Sequence, residues 1–351
     1  MHKIMIVGYG FAGNNLHHRC ISKMMRSGWN YSLSSNIVVI DKLASKITAC
    51  GNSVKFYTEI PPVTGGEGCN WIVHICTPPE QHFQNIHDAL CNGYRSIIVE
   101  KPAASTYLES QQLIELERDY NAKILVVANW VSCAAVNEIM DVLKTGDYGV
   151  ISQITVVQNK SRFIRSRERK GEHLFDIEMP HQVALALFLG GNAALESAEV
   201  EDMVMPDMTL PNLGYGSLRL SHINGVKSVL RSSLIHPVRE RYLKIRTSSG
   251  YMLKIYFPTG GDDSYSRLLI SSPANEVIIN KILYDDPLTL CLIRAYKYFL
   301  ESQQNPYAVK PSGMDLEFNA NKVKILEEAK ELALYQKQGI RSQHKIMIVE
   351  G

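Results

Sequence analysis

The segment Lys-Ile-Met-Ile-Val-Gly-Tyr-Gly-Phe-Ala-Gly at residues 3–13 places a GxGxxG motif between an apolar run and a helix-like segment. In such a context the first glycine permits a tight turn, and the second lets backbone amides approach a pyrophosphate. The third permits close packing of helix on strand, and the helix N-terminus offers N–H groups to phosphates. The motif predicts a dinucleotide site; the alternative is a glycine-rich turn that only packs. The predicted contacts are Gly8, Gly10, Phe11, Ala12 and Gly13.

A carboxylate follows the second apolar run, Asn36–Ile40. Asp41 could accept hydrogen bonds from the adenosine ribose hydroxyls, as an acidic residue does in dinucleotide-binding folds. The interval from Gly13 is longer than the usual ~20 residues, and Ser27–Ser35 reads as the inserted loop that accounts for it. Asp41 favours NAD because a carboxylate repels a 2′-phosphate, whereas Lys42 beside it could tolerate NADP.

The first half of the chain alternates short apolar runs with helix-like segments, which is typical of a parallel sheet covered by helices on both faces. The predicted strands are Lys3–Val7, Asn36–Ile40, Trp71–Ile75, Ser96–Val99 and Lys123–Val127. The predicted helices are Phe11–Arg26, Glu80–Cys91, Ser105–Tyr120 and Ala134–Lys144. We therefore expect an α/β fold that begins with a Rossmann dinucleotide-binding domain over 1–128.

The second half predicts an α+β domain over 129–351, built on a mostly antiparallel open sheet, with last helices that could pack back on the first domain. Its predicted strands are Val150–Gln158, Gly214–His222, Val226–Leu234, Tyr242–Ser248 and Met252–Phe257. Its predicted helices are Pro180–Leu189, Leu288–Ser302 and Asp315–Gln336. The hexapeptide His-Lys-Ile-Met-Ile-Val of residues 2–7 recurs at 344–349, which predicts a terminal strand.

With 351 residues, 45% hydrophobic and 21% charged, the chain has the composition of a globular protein of about two domains. The net charge is 37 − 35 = +2, so nucleic acid and acidic lipid are not expected partners. Seven scattered cysteines without a CxxC pair indicate reduced thiols, with neither a disulfide framework nor a metal site. Without an apolar run of ~18 residues or a signal-like leader, the chain is expected to be cytoplasmic.

A more specific set of residues begins at Cys76, where the chain reads Cys-Thr-Pro-Pro-Glu-Gln-His-Phe, and continues with Gly93 and with Ile98-Val-Glu-Lys-Pro102. It resembles the Gfo/Idh/MocA oxidoreductase family, whose members carry a strand ending in Thr-Pro, a histidine a few residues on, and Glu-Lys-Pro after the next strand. The resemblance is strong across the predicted first domain and thinner beyond it, although Ser312–Ala333 is also similar.

The resemblance implies hydride transfer between nicotinamide and a carbinol carbon of a sugar, inositol or related polyol. Lys101 would lie beside the nicotinamide and the reacting oxygen, where its charge stabilises a developing alkoxide, and the Lys101-Pro102 bond is often cis in this family. The alternative for Lys101 is a surface lysine paired with Glu100. The alternative for His82 is an ordinary residue in the first turn of a helix. The cofactor contacts that the resemblance implies are Cys76, Thr77, Pro78, His82, Glu100, Lys101 and Asn129.

The family commonly shows an aspartate and a histidine four residues apart on one helical face. Here the stretch 175–182 places His181 where the catalytic histidine is expected, but Asp176 lies five residues before it and Glu178 three before it. At i,i+3 Glu178 shares a helix face with His181, whereas Asp176 does so only if Pro180 makes the turn irregular. We expect His181 to act as general acid/base, with Asp176 or Glu178 holding its tautomer or lining the pocket; the alternative is a helix residue that packs.

Asn129 and Trp130 match an Asn-aromatic pair of the family, but a valine follows where the family often has an arginine. The basic run 160–170 could supply that substrate contact, with Arg162 and Arg165 clamping a phosphate or carboxylate. The alternative is a solvated charged loop. The expected substrate contacts are Lys101, Asn129, Trp130, Arg162, Arg165, Glu178 and His181.

The favoured interpretation is an NAD(P)-dependent dehydrogenase or reductase acting on a sugar, cyclitol or related polyol. A second is a redox-neutral enzyme with tightly bound NAD, similar to glycosidases or epimerases. A third, a non-catalytic NAD(P)-sensing regulator, is disfavoured because Lys101 and His181 are both present. An open sheet face predicts a homodimer or homotetramer.

Overall fold

The computed structural model describes residues 2–27, 33–42, 54–63, 67–169, 171–259 and 263–337. Its first sheet has six parallel strands in the order β3-β2-β1-β4-β5-β6. The strands are β1 (His2–Val7), β2 (Leu33–Ile40), β3 (Val54–Tyr57), β4 (Trp71–Ile75), β5 (Ser96–Val99) and β6 (Lys123–Val126). This order is that of a dinucleotide-binding Rossmann sheet, whose crevice lies where the strand order reverses, between β1 and β4. The α/β prediction is confirmed.

Helices cover the faces of this sheet and bury its continuous apolar runs. Met5, Val73 and Ile97 of three neighbouring strands share one core with Leu90 and Leu113 of two covering helices. Burial on both sides explains why these strands read as unbroken apolar runs. The covering elements are the π-helical segment Phe11–His18 continued by α1 (Arg19–Arg26), α2 (His82–Cys91), α3 (Tyr107–Asp119) and α4 (Ala134–Lys144).

Local hydrogen bonds set the start of α3. Thr106 accepts a hydrogen bond from the backbone N–H of Glu109 at 3.1 Å, and the Glu109 carboxylate accepts one from Ser105 at 2.9 Å. This reciprocal capping box starts α3 at Tyr107, two residues later than predicted. β3 was not predicted, because a four-residue edge strand with alternate residues exposed lacks a long apolar run.

The second sheet has eight strands in the order β14-β13-β12-β11-β7-β10-β9-β8. They are β7 (Ile151–Ser161), β8 (Ala193–Met205), β9 (Met208–His222), β10 (Lys227–Ser233), β11 (Ile235–Thr247), β12 (Met252–Tyr256), β13 (Tyr265–Ser271) and β14 (Val277–Tyr284). The central strand β7 pairs parallel with β10 and antiparallel with β11. The prediction of a mostly antiparallel sheet is confirmed.

Several details of this sheet differ from the prediction, and β13 and β14 were not predicted. β7 runs to Ser161, so Lys160 lies in a strand rather than in the predicted loop, and a short helix, α5 (Phe163–Ser166), follows. β8 was not predicted, because its exposed positions, among them Glu196, Glu199 and Glu201, alternate with less exposed ones and leave no unbroken apolar run. The remaining helices are α6 (Leu174–Ile177), α7 (Pro180–Gly190), α8 (Pro287–Gln304) and α9 (Leu316–Lys337).

The chain forms two compact units. The first comprises Met1–Val142, Ser264–Ser266 and Ile282–Lys324, and the second comprises Leu143–Asp263, Arg267–Lys281 and Ile325–Gly351. Thus α8 and the start of α9 belong to the unit that holds the Rossmann sheet. Among the described helices, each is too short or too polar to cross a bilayer. The predicted terminal strand at 344–349 and most of the predicted inserted loop lie outside the described residues.

Candidate functional site

The glycine turn lies at the carboxyl ends of the central strands of the Rossmann sheet. The N–H of Gly8 donates to the carbonyl of Ile40 at 2.8 Å, and the N–H of Cys76 donates to Val7 at 2.8 Å. Gly8 has φ +85°, and a Cβ there would lie 2.8 Å from the backbone nitrogen of Thr77. A side chain at this position is therefore excluded by both the backbone conformation and the neighbouring strand end.

The rest of the turn fits a dinucleotide. A Cβ at Gly13 would lie 2.0 Å from the carbonyl oxygen of Gly8, so the segment Phe11–His18 packs directly on the turn. By contrast, nothing lies within 4 Å of a Cβ built on Gly10, and Phe11 is 70% exposed. The structure therefore combines a tight turn with open space in front of a helix N-terminus, as phosphate binding requires.

Asp41 is anchored to this turn from the end of β2. Its Oδ2 accepts a hydrogen bond from the backbone N–H of Tyr9 at 2.8 Å. Lys42 is exposed beside it. A carboxylate held here is suited to bind ribose hydroxyls and to repel a 2′-phosphate. The preference for NAD over NADP stays a prediction.

Replacing Asp41 with alanine should weaken NADH binding by about tenfold, because charge-assisted hydrogen bonds to the ribose are lost. NADPH binding should weaken less, because repulsion of its 2′-phosphate is also removed. Fluorescence titration with both cofactors measures the ratio of the two Kd values. The matched control is Asp88→Ala, which removes a partly exposed carboxylate on α2 of the same unit. A ratio that Asp41→Ala leaves equal to wild type would contradict the assignment.

His82 joins the two motif segments of the resemblance. It is fully buried, and its ring nitrogens lie 2.7 Å from the carbonyl oxygens of Thr77 and Pro102. The Lys101-Pro102 peptide bond is cis, as the resemblance implies. His82, the first residue of α2, thus holds the Thr-Pro strand end against the Lys-Pro segment, and its role as a cofactor contact stays a prediction. Asn85 adds a hydrogen bond of 2.9 Å to the Thr77 hydroxyl.

A chain of buried polar groups lies beneath the same strand ends. His17 Nε2 lies 2.9 Å from Glu100 Oε1, and its Nδ1 lies 2.7 Å from Nδ1 of His74. His74 Nε2 in turn lies 2.8 Å from the hydroxyl of Tyr296 on α8. Both imidazoles are fully buried. This chain of polar groups was not predicted, although His17 lies four residues after Gly13 and so on the same, inward face of the helical segment.

The surroundings fix the protonation of this chain. Burial lowers the pKa of His17, but its hydrogen bonds and charge interactions with Cys76 and Glu100 outweigh burial and raise it well above 6.5. Burial and then the charge of His17 lower the pKa of His74 well below 6.5. Burial raises the pKa of Glu100, yet the hydrogen bond and charge of His17 lower it overall. These directions favour an imidazolium at His17 that donates to the Glu100 carboxylate and to a neutral His74.

This arrangement leaves the Lys101 ammonium without a carboxylate partner. One oxygen of Glu100 binds His17, and the other accepts the backbone N–H of Lys101 at 3.1 Å. Among the described residues, nothing hydrogen-bonds or ion-pairs with the Lys101 side chain. Lys322 on α9 is buried, and burial together with the charge of Lys101 lowers the pKa of Lys322 to about 7. The predicted alternative, in which Lys101 pairs with Glu100, is not what the structure shows.

Asn129 and Trp130 follow β6 in the first unit. Asn129 accepts a hydrogen bond from the Trp130 backbone N–H at 3.0 Å, and Trp130 is only 5% exposed. Arg294 of α8 donates to the hydroxyl of Ser132 at 2.9 Å, so a guanidinium is present in this part of the chain although the residue after Trp130 is a valine. The substrate roles of Asn129 and Trp130 stay predictions.

In the second unit, Glu178 is a buried carboxylate between α6 and α7. It is 4% exposed, and Lys160 Nζ lies 2.5 Å from its Oε2. The side-chain amide of Gln158 donates to the same carboxylate. Burial lowers the pKa of Lys160 to about 8 in spite of the ion pair. Lys160 is thus a buried strand residue and not part of a solvated loop.

The other predicted groups of this unit lie on neighbouring helices. His181 is the second residue of α7 and is partly buried. Asp176 on α6 pairs with Lys330 of α9, at 2.9 and 3.2 Å. Both predicted carboxylates therefore bind a lysine. In the described part of the chain, no group of three or more His, Cys, Asp or Glu side chains is placed to hold a metal ion.

Comparisons with known proteins agree with the Rossmann sheet. Residues 2–128 match the sequence model of the Gfo/Idh/MocA group, described as an oxidoreductase family with an NAD-binding Rossmann fold. An uncharacterised oxidoreductase of Schizosaccharomyces pombe is 31% identical over 85 residues, which is 24% of this chain and 22% of that protein's length. The match therefore covers about a fifth of that relative's length.

Solved structures resemble the whole fold. An NAD-binding oxidoreductase from Klebsiella pneumoniae has a TM-score of 0.75 at 14% identity, covering 96% of this chain and 98% of that one. A 3-ketoreductase variant from Actinomadura kijaniata, in complex with TDP-benzene and NADP, has a TM-score of 0.70 at 13% identity, covering 94% and 97%. A UDP-N-acetylglucosamine 3-dehydrogenase from Acidithiobacillus ferrooxidans has a TM-score of 0.67 at 15% identity, covering 95% and 97%. At these identities the likeness concerns the fold alone.

Proposed function

We propose that this chain is an NAD(P)-dependent dehydrogenase or reductase, because residues 2–128 match the model of the NAD-binding Gfo/Idh/MocA oxidoreductase family. It transfers hydride between nicotinamide and a carbinol or carbonyl carbon of a sugar, cyclitol or related polyol derivative. NAD is the proposed cofactor, and NADP the second choice. Two solved relatives support a sugar-like substrate, since one is a 3-ketoreductase that binds TDP-benzene and the other a UDP-N-acetylglucosamine 3-dehydrogenase.

The observation that carries the proposal is the environment of the Lys101 ammonium. Its carboxylate neighbour is engaged by His17, so its ammonium stays available to an oxygen of the substrate. Lys101 also follows β5, at the carboxyl edge of the sheet that carries the glycine turn. In open α/β sheets ligands bind at that edge. A cation there stabilises the alkoxide that develops as a hydroxyl loses its proton and hydride.

When bound, the nicotinamide supplies the hydride acceptor or donor. We assign Lys101 to hold the reacting oxygen and His181 to accept its proton in the oxidation direction and return it in the reduction direction. Glu178 contributes a negative charge that is already shared with Lys160. Asp176 contributes through its ion pair with Lys330, which fixes the turn before α7 against α9. The two carboxylates are therefore proposed as positioning groups.

A substrate screen tests the reaction class. The purified chain is incubated with NAD or NADP and a panel of sugars, cyclitols and sugar derivatives, and formation of NADH or NADPH is followed by absorbance. We expect net turnover with members of one polyol class. Tightly bound NAD that does not exchange, together with redox-neutral conversion of a substrate, would instead identify the glycosidase or epimerase type of chemistry. Absence of any cofactor binding by the folded chain would overturn the proposal.

We also propose that the chain assembles as a homodimer or homotetramer. The edge strand β14 exposes Val277, Ile278, Ile282 and Tyr284, each about half or more accessible. An apolar edge strand with unpaired backbone groups favours pairing with a second copy. Light scattering at micromolar concentration should therefore report a mass at least twice that of the chain, and a monomer would contradict this proposal.

A further inference from the structure

Arg162, which follows β7 in the second unit, has an unusual environment. Its backbone is held by a hydrogen bond to Leu234 at 2.9 Å, and its side chain is only 25% exposed. The nearest carboxylate oxygen is that of Glu178, 4.0 Å from a guanidinium nitrogen and beyond hydrogen-bond reach. Within the described residues, no group accepts a hydrogen bond from this guanidinium. A largely buried side chain with five N–H donors is thus left without acceptors.

Apart from Glu178, the charges that most affect Arg162 are positive. Burial lowers its pKa, Glu178 raises it, and the charges of Arg165, Arg169 and Arg239 lower it further. Arg169 has its own carboxylate partner 2.5 Å away. In the described part of the chain, Arg165 and Arg239 have no ion-pair partner, and both are exposed. We call Arg162, Arg165 and Arg239 the Arg162 cluster.

Glu178, the buried carboxylate 4.0 Å from Arg162, does not balance this cluster. Glu178 is already bound by Lys160 at 2.5 Å and by the amide of Gln158. A buried cation without acceptors is costly, and the cost is removed when an anion binds. The planar guanidinium fork matches the oxygens of a carboxylate or a phosphate. The hydroxyl of a neutral polyol could accept one hydrogen bond but would not offset the positive charge.

We propose that the polyol substrate carries an anionic group, a phosphate ester or a carboxylate, and that the Arg162 cluster binds it. This inference rests on the proposed function for its reaction, whereas anion binding by the cluster stands on the geometry of the second unit alone. Arg162 supplies a largely buried guanidinium group, and the exposed Arg165 and Arg239 supply additional positive charge. Because Glu178 is paired with Lys160, the arginines of the cluster remain available to bind the ligand.

Calorimetric titration of the full chain with inorganic phosphate, at constant ionic strength, tests the site without knowledge of the substrate. We expect saturable binding to wild type and binding at least about tenfold weaker to Arg162→Gln, since charge-assisted hydrogen bonds are lost. Arg162→Lys should retain part of the affinity. The matched control is Arg167→Gln in the same basic run, because Arg167 is paired with the exposed Asp207 at 2.6 and 2.9 Å. That control should bind phosphate like wild type.

The substrate screen then distinguishes the sources of the anion. Each sugar is assayed beside its phosphate ester and its sugar acid, and the more active of these two derivatives identifies the group. Higher turnover of the neutral sugar, no phosphate binding by wild type, or equal losses in Arg162→Gln and Arg167→Gln would overturn the inference. NADH titration of the same samples distinguishes failure of the proposed function from failure of the anion site. A chain that binds phosphate but not NADH would contradict the proposed function and not the anion site.

Discussion

Replacing Lys101 with methionine should lower kcat/KM for the active polyol by about 10³-fold and change the Kd for NADH by no more than about threefold. The ammonium stabilises charge that exists only on the reacting oxygen, so its removal affects the transition state more than cofactor binding. The structure supports a large effect, because no carboxylate oxygen of the described residues lies within ion-pair distance of the Lys101 ammonium. Steady-state kinetics and fluorescence titration measure the two quantities.

The matched control for this substitution is Lys3→Met in the same unit. Lys3 is exposed and pairs with Glu67 at 2.8 Å, so its loss removes a charge without touching the site. The control should keep the wild-type kcat/KM. Equal activity of Lys101→Met and wild type would show that Lys101 does not hold the reacting oxygen, and equal losses in both variants would indicate a general charge effect.

The variant His17→Leu should lose about 3 kcal/mol of unfolding free energy, because it leaves the Glu100 carboxylate buried without its charged partner. The His17 side chain is fully buried and that of Glu100 is 16% exposed, so solvent screens this pair little. A second effect should follow at the site. Without the imidazolium, Glu100 is free to pair with the adjacent Lys101 ammonium, which should slow the reaction of Lys101 with an electrophilic label. Denaturant unfolding and mass spectrometry of the labelled peptide measure the two effects.

The stabilising effect of His17 should depend on pH. Its pKa is raised in the folded chain, so its contribution is fully present below the ordinary value of 6.5 and is lost as the pH rises through the raised pKa. Glu100 has a lowered pKa, so its contribution is present above 4.5 and is lost as the pH falls through the lowered value. The difference between wild type and His17→Leu should therefore be largest from mildly acidic to neutral pH and shrink at alkaline pH.

His74 lowers the stability of the fold at acidic pH. Its pKa is lowered in the folded chain, so unfolding takes up a proton at His74 once the pH falls below 6.5 and the fold loses stability. The partly exposed His87 on α2 is the control, and His87→Leu should have the wild-type free energy of unfolding at neutral pH. A His17→Leu variant as stable as wild type at neutral pH, with unchanged labelling of Lys101, would contradict the role of the pair.

The Rossmann unit was largely predictable because its strands are buried on both faces. Unbroken apolar runs such as Trp71–Ile75 and Ser96–Val99 coincide with the observed strands. The glycine turn and the cis Lys101-Pro102 segment were also predicted, since each depends on residue types at short spacing. The short edge strand Val54–Tyr57 was missed, because an exposed edge does not require an apolar run.

The polar interactions could not be predicted, because they join residues far apart in the chain. His17 and His74 are 57 residues apart, and Tyr296 is 222 residues beyond His74. No local pattern indicates such pairs. Likewise, Lys160 was assigned to a loop, because only the pairing of β7 with β10 and β11 shows that the strand continues through it.

The central claim is that the glycine turn binds a nicotinamide dinucleotide, and titration of NADH and NADPH into wild type and Gly10→Ala tests it most directly. The added methyl group meets open space in the structure, so the variant should keep the wild-type melting temperature. It should nevertheless bind NADH at least about tenfold more weakly, because the methyl group occupies the path of the pyrophosphate. Saturable binding to wild type, with NADH preferred over NADPH and with this loss in the variant, is the predicted result. A folded wild-type chain that binds neither nucleotide, or a variant that binds them equally well, would contradict the account.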